Sequence, residues 1–197
     1  MTKIAGILGD PIGHTLSPVM HNAAFRALGL DWVYIAARVR PANLAAAVRG
    51  VRVMGWAGVN LTIPHKERAS RLVDRATREA RLTGAINTIV CTPRGLVGHN
   101  TDGRGYVAAL REELDFDPAG KRVVLIGAGG AARGIAVALM VRGASRLTIL
   151  NRTPGRAGSL ARRLGRGFRG SKVLSGGLTR DSVSRTFADA DLLVNAT

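Results

Sequence analysis

The sequence is short of cysteine, aromatic residues and acidic residues, and it contains no long apolar run. The single cysteine, Cys91, excludes an internal disulfide and favours a reducing, cytoplasmic location. No apolar run approaches the roughly 18 residues of a membrane span, and the apolar stretch in MTKIAGILGD is too short for a signal peptide. With 46% hydrophobic and 21% charged residues, the 197-residue chain has the composition of a globular protein with one or two domains.

The charge balance is strongly basic, because 13 acidic residues face 29 basic ones and give a net charge of +16. Of the basic residues, four are Lys and the other 25 are Arg. Such a balance can indicate nucleic-acid binding. The arginines are scattered, however, and four Phe, two Tyr and two Trp offer few rings on which bases could stack. We therefore expect no specific nucleic-acid partner and a surface suited to anionic small molecules.

Strands and helices alternate along the first half of the chain, which predicts an α/β fold with a mostly parallel sheet and helices on its faces. A Pro at position 18 opens the first helix, and Gly29 ends it. The predicted strands cover 3–8, 32–39, 57–61, 86–91 and the segment near Leu96, and the predicted helices cover 17–28, 42–54 and stretches around 65–82.

A polar break over residues 115–120 follows a predicted helix at 103–114 and introduces a second α/β unit. We place the domain boundary just before that helix, which gives domains 1–102 and 103–197. The second unit is predicted to contain strands at 122–127, 146–151 and 191–195 and helices at 131–141 and 156–168. Only the first βαβαβ half of a doubly wound Rossmann-type fold is present, so we predict that this domain is incomplete and that the chain is truncated at its C-terminus.

Residues 127–132 read GAGGAA and lie between a predicted strand and a predicted helix. This is the G-x-G-x-x-A pattern of dinucleotide-binding turns, in which backbone N–H groups and the helix N-terminus approach a pyrophosphate. A glycine-rich turn that serves only packing is the alternative. The predicted cofactor-binding residues of the turn are Gly127, Ala128, Gly129, Gly130 and Ala131.

The end of the next strand, at Asn151, bears on the type of cofactor. NAD sites usually carry Asp or Glu here, which binds the ribose 2′-OH and would repel a 2′-phosphate. This sequence instead has Asn151, Arg152 and Thr153, with Arg156 one turn later. Because the planar Arg fork matches phosphate geometry, we predict NADP(H). Two unrelated surface arginines are the alternative.

Four polar segments lie at the ends of predicted strands in the first domain. They read GHTLSP at 13–18, NLTIPHK at 60–66, GAINT at 84–88 and GHNTDG at 98–103. Loops that follow parallel strands gather at the C-terminal edge of the sheet, where α/β proteins bind ligands. We therefore expect these segments to form one site.

These segments resemble, in order, the motifs of the shikimate dehydrogenase family, and the resemblance extends to GAGGAAR, NRT and the final VNAT. It implies an NADP-dependent enzyme of aromatic amino acid and chorismate biosynthesis that reversibly reduces 3-dehydroshikimate to shikimate. It also implies that residues 1–102 form the substrate-binding and catalytic domain and that residues 103–197 form the Rossmann-type NADP-binding domain. One departure is Thr15, where the family usually has Ser.

By this resemblance Lys66 and Asp102 are the catalytic pair. A Lys ammonium can bind the developing alkoxide of a secondary alcohol, and a neutral Lys can accept the hydroxyl proton. A nearby carboxylate favours the ammonium, whereas burial favours the neutral amine, so both roles stay open. A surface salt bridge is the alternative.

The resemblance also assigns the residues that hold the substrate. Thr15 and Ser17 would bind its carboxylate, and Thr62, Asn87 and Asp102 would bind its ring hydroxyls, with Lys66 completing the set. Ser17 has a second possible role as a helix N-cap.

Four histidines lie near these motifs, but their spacing fits no zinc pattern and no cysteine cluster accompanies them, so we predict no metal site. They are His14, His21, His65 and His99. Two rival functions remain: a quinate/shikimate dehydrogenase of broader specificity, and a truncated, non-catalytic cofactor-binding fragment. We expect a monomer or homodimer, no membrane association, and weak or no activity for the 197-residue chain.

Overall fold

Two α/β units, Met1–Asn100 and Thr101–Thr197, make up the chain. The structure, a computed structural model, describes residues 1–168 and 170–197. The boundary predicted from the sequence, between residues 102 and 103, lies two residues beyond the one given by backbone packing. No helix within the described ranges is long and apolar enough to cross a membrane.

The first unit is built on a six-stranded sheet whose strands lie in the order β2-β1-β3-β5-β6-β4. The pairs β1–β2, β1–β3 and β4–β6 are parallel, and the pairs β3–β5 and β5–β6 are antiparallel. The prediction of an α/β fold with a mostly parallel sheet is therefore confirmed. The strands are β1 (Lys3–Gly9), β2 (Trp32–Arg38), β3 (Gly58–Leu61), β4 (Arg75–Ala76), β5 (Thr88–Thr92) and β6 (Gly95–His99).

Three α-helices accompany this sheet: α1 (Ser17–Ala27), α2 (Leu44–Val53) and α3 (Arg78–Thr83). In α2 the buried residues are Leu44, Val48 and Val51, whose spacing of four and three places them on one helical face. This face packs in the core beside Leu61 and Ile89 of the sheet. Burial of this apolar stripe fixes α2 against the strands that carry the polar segments.

The segment 65–82 is less helical than its sequence predicted. It contains a short 3-10 helix at Arg68–Arg71, then β4, and only then α3. Asp74 explains the interruption, since its carboxylate accepts a hydrogen bond from Leu96 N at 2.7 Å and its own N–H donates to Leu96 O at 3.1 Å. These bonds draw the segment to the sheet beside β6, which overrides its local helical preference.

The second unit has a parallel four-stranded sheet in the order β10-β7-β8-β9. Its elements are α4 (Asp102–Leu114), β7 (Arg122–Ile126), α5 (Gly130–Val141), β8 (Arg146–Asn151), α6 (Pro154–Gly167), β9 (Lys172–Gly177), α7 (Arg180–Phe187) and β10 (Leu192–Asn195). The sequence analysis missed β9 and α7. Neither contains a buried residue, so neither carries a strong hydrophobic pattern.

Helix α4 packs directly on α5 through glycine. A Cβ at Gly103 would lie 2.3 Å from Gly134 O and 2.6 Å from the Ala138 side chain, so the two helix backbones approach more closely than any larger residue allows. The NTDG segment therefore has a packing role in addition to its chemical one, because its glycine seats the helix that begins with Asp102.

Strand β10 is tied to β7 by an ion pair at the sheet edge opposite the glycine-rich turn. Arg122 donates to Asp191 from Nη2 at 2.9 Å, from Nε at 3.1 Å and from its backbone N at 2.7 Å. The Arg122 side chain, through these hydrogen bonds, holds the pKa of Asp191 well below its usual range.

Candidate active site and cofactor site

Strands β1 and β3 bring two of the polar segments to one edge of the first sheet. The strands run parallel, so the loops that follow both of them emerge on the same side. Backbone hydrogen bonds join the loops: Thr62 N donates to Leu8 O and Asp10 N donates to Ile63 O, both at 3.0 Å. The GHTLSP and NLTIPHK segments are therefore neighbours.

The GAINT segment reaches the same edge from the opposite direction. Because β5 is antiparallel to β3, its first residues lie where β3 ends, and Asn60 is paired with Thr88. Strand β6 then reverses again, so Thr88 pairs with His99 and Asn87 N donates to His99 O at 3.1 Å. The grouping of all four segments, up to Asn100, thus depends on an antiparallel strand within a mostly parallel sheet.

Thr15 and Ser17 place two hydroxyl groups side by side. Thr15 Oγ1 donates to Ser17 Oγ at 3.1 Å, and Ser17 N donates to Thr15 Oγ1 at 3.3 Å. The N-cap role considered for Ser17 is wrong, since Leu16 occupies the N-cap of α1 without a side-chain cap. A pair of adjacent hydroxyls can donate to the oxygens of a carboxylate.

Hydrogen bonds to other segments of the first unit anchor the loop that carries Lys66. His65 is fully buried, and its Nε2 lies 2.8 Å from Val39 O. The Lys66 carbonyl accepts a hydrogen bond from Ile86 N at 2.7 Å. Thr62 and Lys66 are half-buried. The buried His65 side chain and the backbone bond of Lys66 therefore hold this loop at the sheet edge.

The second member of the predicted catalytic pair, Asp102, is the first residue of α4 and belongs to the second unit. A carboxylate in the first turn of a helix is favoured by the positive end of the helix dipole. Lys66 belongs to the first unit, so the pairing of these two residues stays a prediction. Among the residues that the structure describes, no group of three or more His, Cys, Asp or Glu could hold a metal ion.

The sequence analysis missed a hydrogen-bonded chain that ends at Asn87. The Tyr34 hydroxyl donates to Asn60 Oδ1 at 2.6 Å, Asn60 Nδ2 donates to Thr88 Oγ1 at 3.0 Å, and Thr88 Oγ1 donates to Asn87 Oδ1 at 3.1 Å. Asn60 and Thr88 belong to segments already singled out, but nothing in the sequence connects Tyr34 with them.

The glycine-rich turn joins β7 to α5 in the second unit. Gly127 has a φ of +118°, and a Cβ there would lie 2.5 Å from Ala196 O. Gly129 is the N-cap of α5, and a Cβ there would meet no atom within 4 Å. Gly130 begins the helix, and Ala128 is buried. The backbone therefore leaves open space above the turn, which fits the pyrophosphate of a dinucleotide.

The residues after β8 fit a phosphorylated ribose. Asn151 Nδ2 donates to Thr153 O at 2.9 Å, which shapes the turn into α6. Arg152 and Thr153 are exposed on this turn, and Arg156 is exposed in the first turn of α6. The strand ends without a carboxylate, so nothing here would repel a 2′-phosphate.

The parallel sheet and its glycine-rich turn define the second unit as a dinucleotide-binding domain of the Rossmann type. Known proteins agree with this. Residues 7–89 match the family described as "Shikimate dehydrogenase substrate binding domain", and residues 109–197 match "Shikimate / quinate 5-dehydrogenase".

Individual relatives match over the whole chain. The shikimate dehydrogenase (NADP(+)) of Methanopyrus kandleri is 48% identical over 196 residues, which cover 100% of this chain and 67% of that protein. A shikimate dehydrogenase crystallised with NADP+ has a TM-score of 0.88 and 38% identity, and the match covers 100% of this chain and 67% of that one. Shikimate 5-dehydrogenase from Listeria monocytogenes, in complex with shikimate and NAD, has a TM-score of 0.92 and 34% identity, with 100% and 68% covered.

The chain belongs to the shikimate dehydrogenase family, and it spans about two thirds of the length of these relatives.

Proposed function

We propose that this protein is an NADP-dependent shikimate dehydrogenase that interconverts shikimate and 3-dehydroshikimate in aromatic amino acid and chorismate biosynthesis. The observation that carries the proposal is the edge of the first sheet, where backbone hydrogen bonds join the segments that carry the paired hydroxyls, the buried Asn87 carboxamide and Lys66. The second unit adds a glycine-rich turn before α5, and its strand β8 ends at Asn151 instead of an acid, with Arg152 directly after it. Residues 1–102 serve as the substrate-binding and catalytic domain, and residues 103–197 serve as the NADP-binding domain.

The substrate is held by hydroxyl and amide groups. Thr15 and Ser17 bind its carboxylate. Ser17 Oγ can accept from Thr15 and still donate its own proton, and Thr15 Oγ1 donates to the substrate when its proton turns away from Ser17. Thr62, Asn87 and Asp102 bind the ring hydroxyls. Because a polar site loses hydrogen bonds when a hydroxyl is missing, the protein should discriminate strongly against deoxy analogues.

Lys66 acts on the hydroxyl that becomes the carbonyl. During oxidation the hydroxyl proton moves to Lys66 Nζ, and the resulting ammonium group stabilises the negative charge that develops on the oxygen. By the family resemblance, Asp102 is the second member of the catalytic pair and binds a ring hydroxyl. NADP+ bound to the second unit would supply the hydride acceptor. The bond of the His65 side chain to Val39 O and the bond of Ile86 N to Lys66 O hold the backbone that carries the lysine before substrate arrives.

The cofactor is held by the second unit. Gly127, Ala128, Gly129, Gly130 and Ala131 would hold the pyrophosphate, and Asn151, Arg152, Thr153 and Arg156 would hold the 2′-phosphate. Arg152 offers a fork of donors to this group, which carries the preference for NADP over NAD.

The experiment is a steady-state assay of the purified protein with shikimate or quinate, each with NADP+ or NAD+. Turnover by the 197-residue chain should be weak, and its kcat/KM should be highest for shikimate with NADP+. Lys66→Ala should lower kcat by about 100-fold or more, since a positioned proton-transfer group contributes about 10²–10⁴-fold. Lys121→Ala, an exposed lysine just before β7, is the matched control and should keep wild-type rates.

Each alternative predicts its own result. Equal use of quinate and shikimate would favour the enzyme of broader specificity, which the description of the family matched by residues 109–197 also names. Tight NADP+ binding without turnover would favour the non-catalytic fragment. Near-normal turnover by Lys66→Ala would refute the proposed mechanism. The expected monomer or homodimer is tested by light scattering on the purified protein, and the expected cytoplasmic location by fractionation of cells.

A further inference from the structure

Helix α1 carries Ser17 at its first position, yet it buries little apolar surface. The structure describes all of its residues, and none of them is buried. The half-buried residues His21, Asn22 and Phe25 share one face of the helix, since they lie three to four residues apart. In α2, by contrast, three apolar residues of one face are fully buried. Apolar burial therefore holds α1 less firmly than it holds α2.

The side chain of Asn22 bonds to the backbone of Tyr34 in the middle of β2. Its Nδ2 donates to Tyr34 O at 2.9 Å, and its Oδ1 accepts from Tyr34 N at 2.8 Å. Among the strands that the structure describes, β2 lies at the edge of the sheet with β1 as its one partner, so the N–H and C=O groups on its outer side need other partners. Asn22 thus takes the place of a neighbouring strand at Tyr34.

These two bonds fix the position of α1 on β2. The orientation of the Asn22 carboxamide is unambiguous, because a backbone N–H only donates and a backbone carbonyl only accepts. The ring of His21, one residue earlier, stacks on the Tyr34 ring with centroids 4.3 Å apart. Stacked rings can slide over each other, whereas hydrogen bonds weaken steeply when they are misaligned. Asn22 is therefore the contact that sets where α1 lies along the strand.

The hydroxyl pair of Thr15 and Ser17 is held from two sides. The hydrogen bonds between the two residues join them to each other and do not by themselves place the pair on the sheet. On the loop side, Thr15 N donates to the carbonyl of the buried Ile12 at 3.1 Å. On the helix side, Asn22 lies five residues after Ser17, which is about 7–8 Å along an α-helix. The position of Asn22 on β2 therefore sets the position of the Ser17 hydroxyl.

We propose that Asn22 is a positioning residue of the substrate site, which fixes α1 on the edge strand β2 and so holds the Ser17 hydroxyl where it binds the carboxylate of the substrate. The inference rests on the proposed function, because it takes Thr15 and Ser17 as the carboxylate-binding residues. Asn22 acts through α1, since both ends of its carboxamide are engaged by Tyr34. Its loss should affect the carboxylate of the substrate and spare the ring hydroxyls.

The test measures shikimate binding by calorimetry in the full chain and in Asn22→Leu, which keeps the approximate volume of the side chain and loses both hydrogen bonds. Without these bonds, the start of α1 divides its time among several positions. If the competent one is occupied for about a tenth to a third of the time, Kd rises about 3- to 10-fold. Asn43→Ala, which removes an exposed carboxamide that makes no cap bond to α2, is the control and should leave Kd unchanged.

A shikimate analogue in which a hydrogen atom replaces the carboxylate separates positioning from general damage. Wild type and Asn22→Leu should bind this analogue equally, because it lacks the group that Ser17 holds. A merely structural defect would weaken the binding of both ligands alike. The Ser17→Ala variant makes the same separation within the protein: adding Asn22→Leu to it should raise Kd by less than about twofold, since the hydroxyl that Asn22 places is already gone.

Hydrogen exchange in the wild-type chain tests the anchor without any substitution. The Tyr34 amide should exchange more slowly than the amide of Ala36, which lies two residues on and therefore on the same outer side of β2. Asn22→Leu should remove this difference. If Asn22→Leu does not fold, Asn22→Ala carries the binding test, and the exchange measurement on wild type still stands.

The outcomes distinguish this inference from the function on which it rests. Absence of shikimate binding to wild type, with a protected Tyr34 amide, would overturn the proposed function and the substrate-positioning role together. Shikimate binding that is unchanged in Asn22→Leu would overturn the inference alone. Equal losses for shikimate and its analogue would also overturn it, as would a Tyr34 amide that exchanges as fast as that of Ala36.

Discussion

Two glycines of the same turn should fail in different ways when each is replaced by Ala. In Gly127→Ala the new Cβ would lie 2.5 Å from Ala196 O, and the residue must keep a φ of +118°. Backbone strain of this kind costs about 1–3 kcal/mol. Overpacking against a neighbouring backbone adds about 1–3 kcal/mol. The expected loss of stability is therefore about 2–6 kcal/mol.

Gly129→Ala meets neither problem. Its φ is −80°, and a Cβ there has no neighbour within 4 Å. Ala is a poorer N-cap than Gly, but it also lowers the entropy of the unfolded chain, and the two effects roughly cancel to within about 1 kcal/mol. The methyl group instead occupies the space above the turn. We expect NADP+ affinity to fall at least about tenfold, which corresponds to about 1.4 kcal/mol.

Thermal unfolding and calorimetric titration with NADP+ measure the two effects separately. In a domain of this size each kcal/mol shifts Tm by about 4–8 °C, so Gly127→Ala should melt at least about 8 °C lower. Gly129→Ala should melt within a few degrees of wild type and bind NADP+ poorly. A Gly127→Ala variant with wild-type Tm, or a Gly129→Ala variant with wild-type affinity, would refute this division of roles.

Two further predictions concern charge. Arg152→Ala should raise the KM for NADP+ about tenfold or more and leave the KM for NAD+ unchanged. Arg166, which is exposed at the end of α6, is the control, and Arg166→Ala should change neither KM. An unchanged cofactor preference in Arg152→Ala would remove this residue from the phosphate site. Because Arg122 lowers the pKa of Asp191 in the folded state, the stability that this pair contributes is present above the ordinary Asp pKa of about 3.9 and is lost as pH falls through the lower folded pKa. The Tm of Asp191→Asn should therefore lie below that of wild type at neutral pH and approach it under acid conditions. Asp31→Asn is the control. A difference in Tm that persists in acid would contradict the stabilising role of the Arg122–Asp191 pair.

The features predicted best from the sequence are those set by a few consecutive residues. The glycine-rich turn is one, since Gly127 needs its φ wherever the turn occurs. The strands β1, β7 and β8 are others, because each contains a run of consecutive apolar residues, which by itself predicts a buried strand. The segment 65–82 was predicted poorly, because Asp74 within it bonds to Leu96, which lies more than twenty positions away along the chain.

The sequence by itself determined which side chains could carry the chemistry, namely the lysine, the hydroxyls, the carboxamide and the phosphate-binding arginines, because residue type and local spacing are properties of the chain. Only the tertiary structure decided which of these side chains lie on segments at the same edge of the sheet. Asn87 reaches the substrate segments because β5 runs against β3, and Tyr34 joins them through a hydrogen bond to a residue 26 positions away. Strand direction and order arise from burying the whole sheet at once, and no local pattern encodes them.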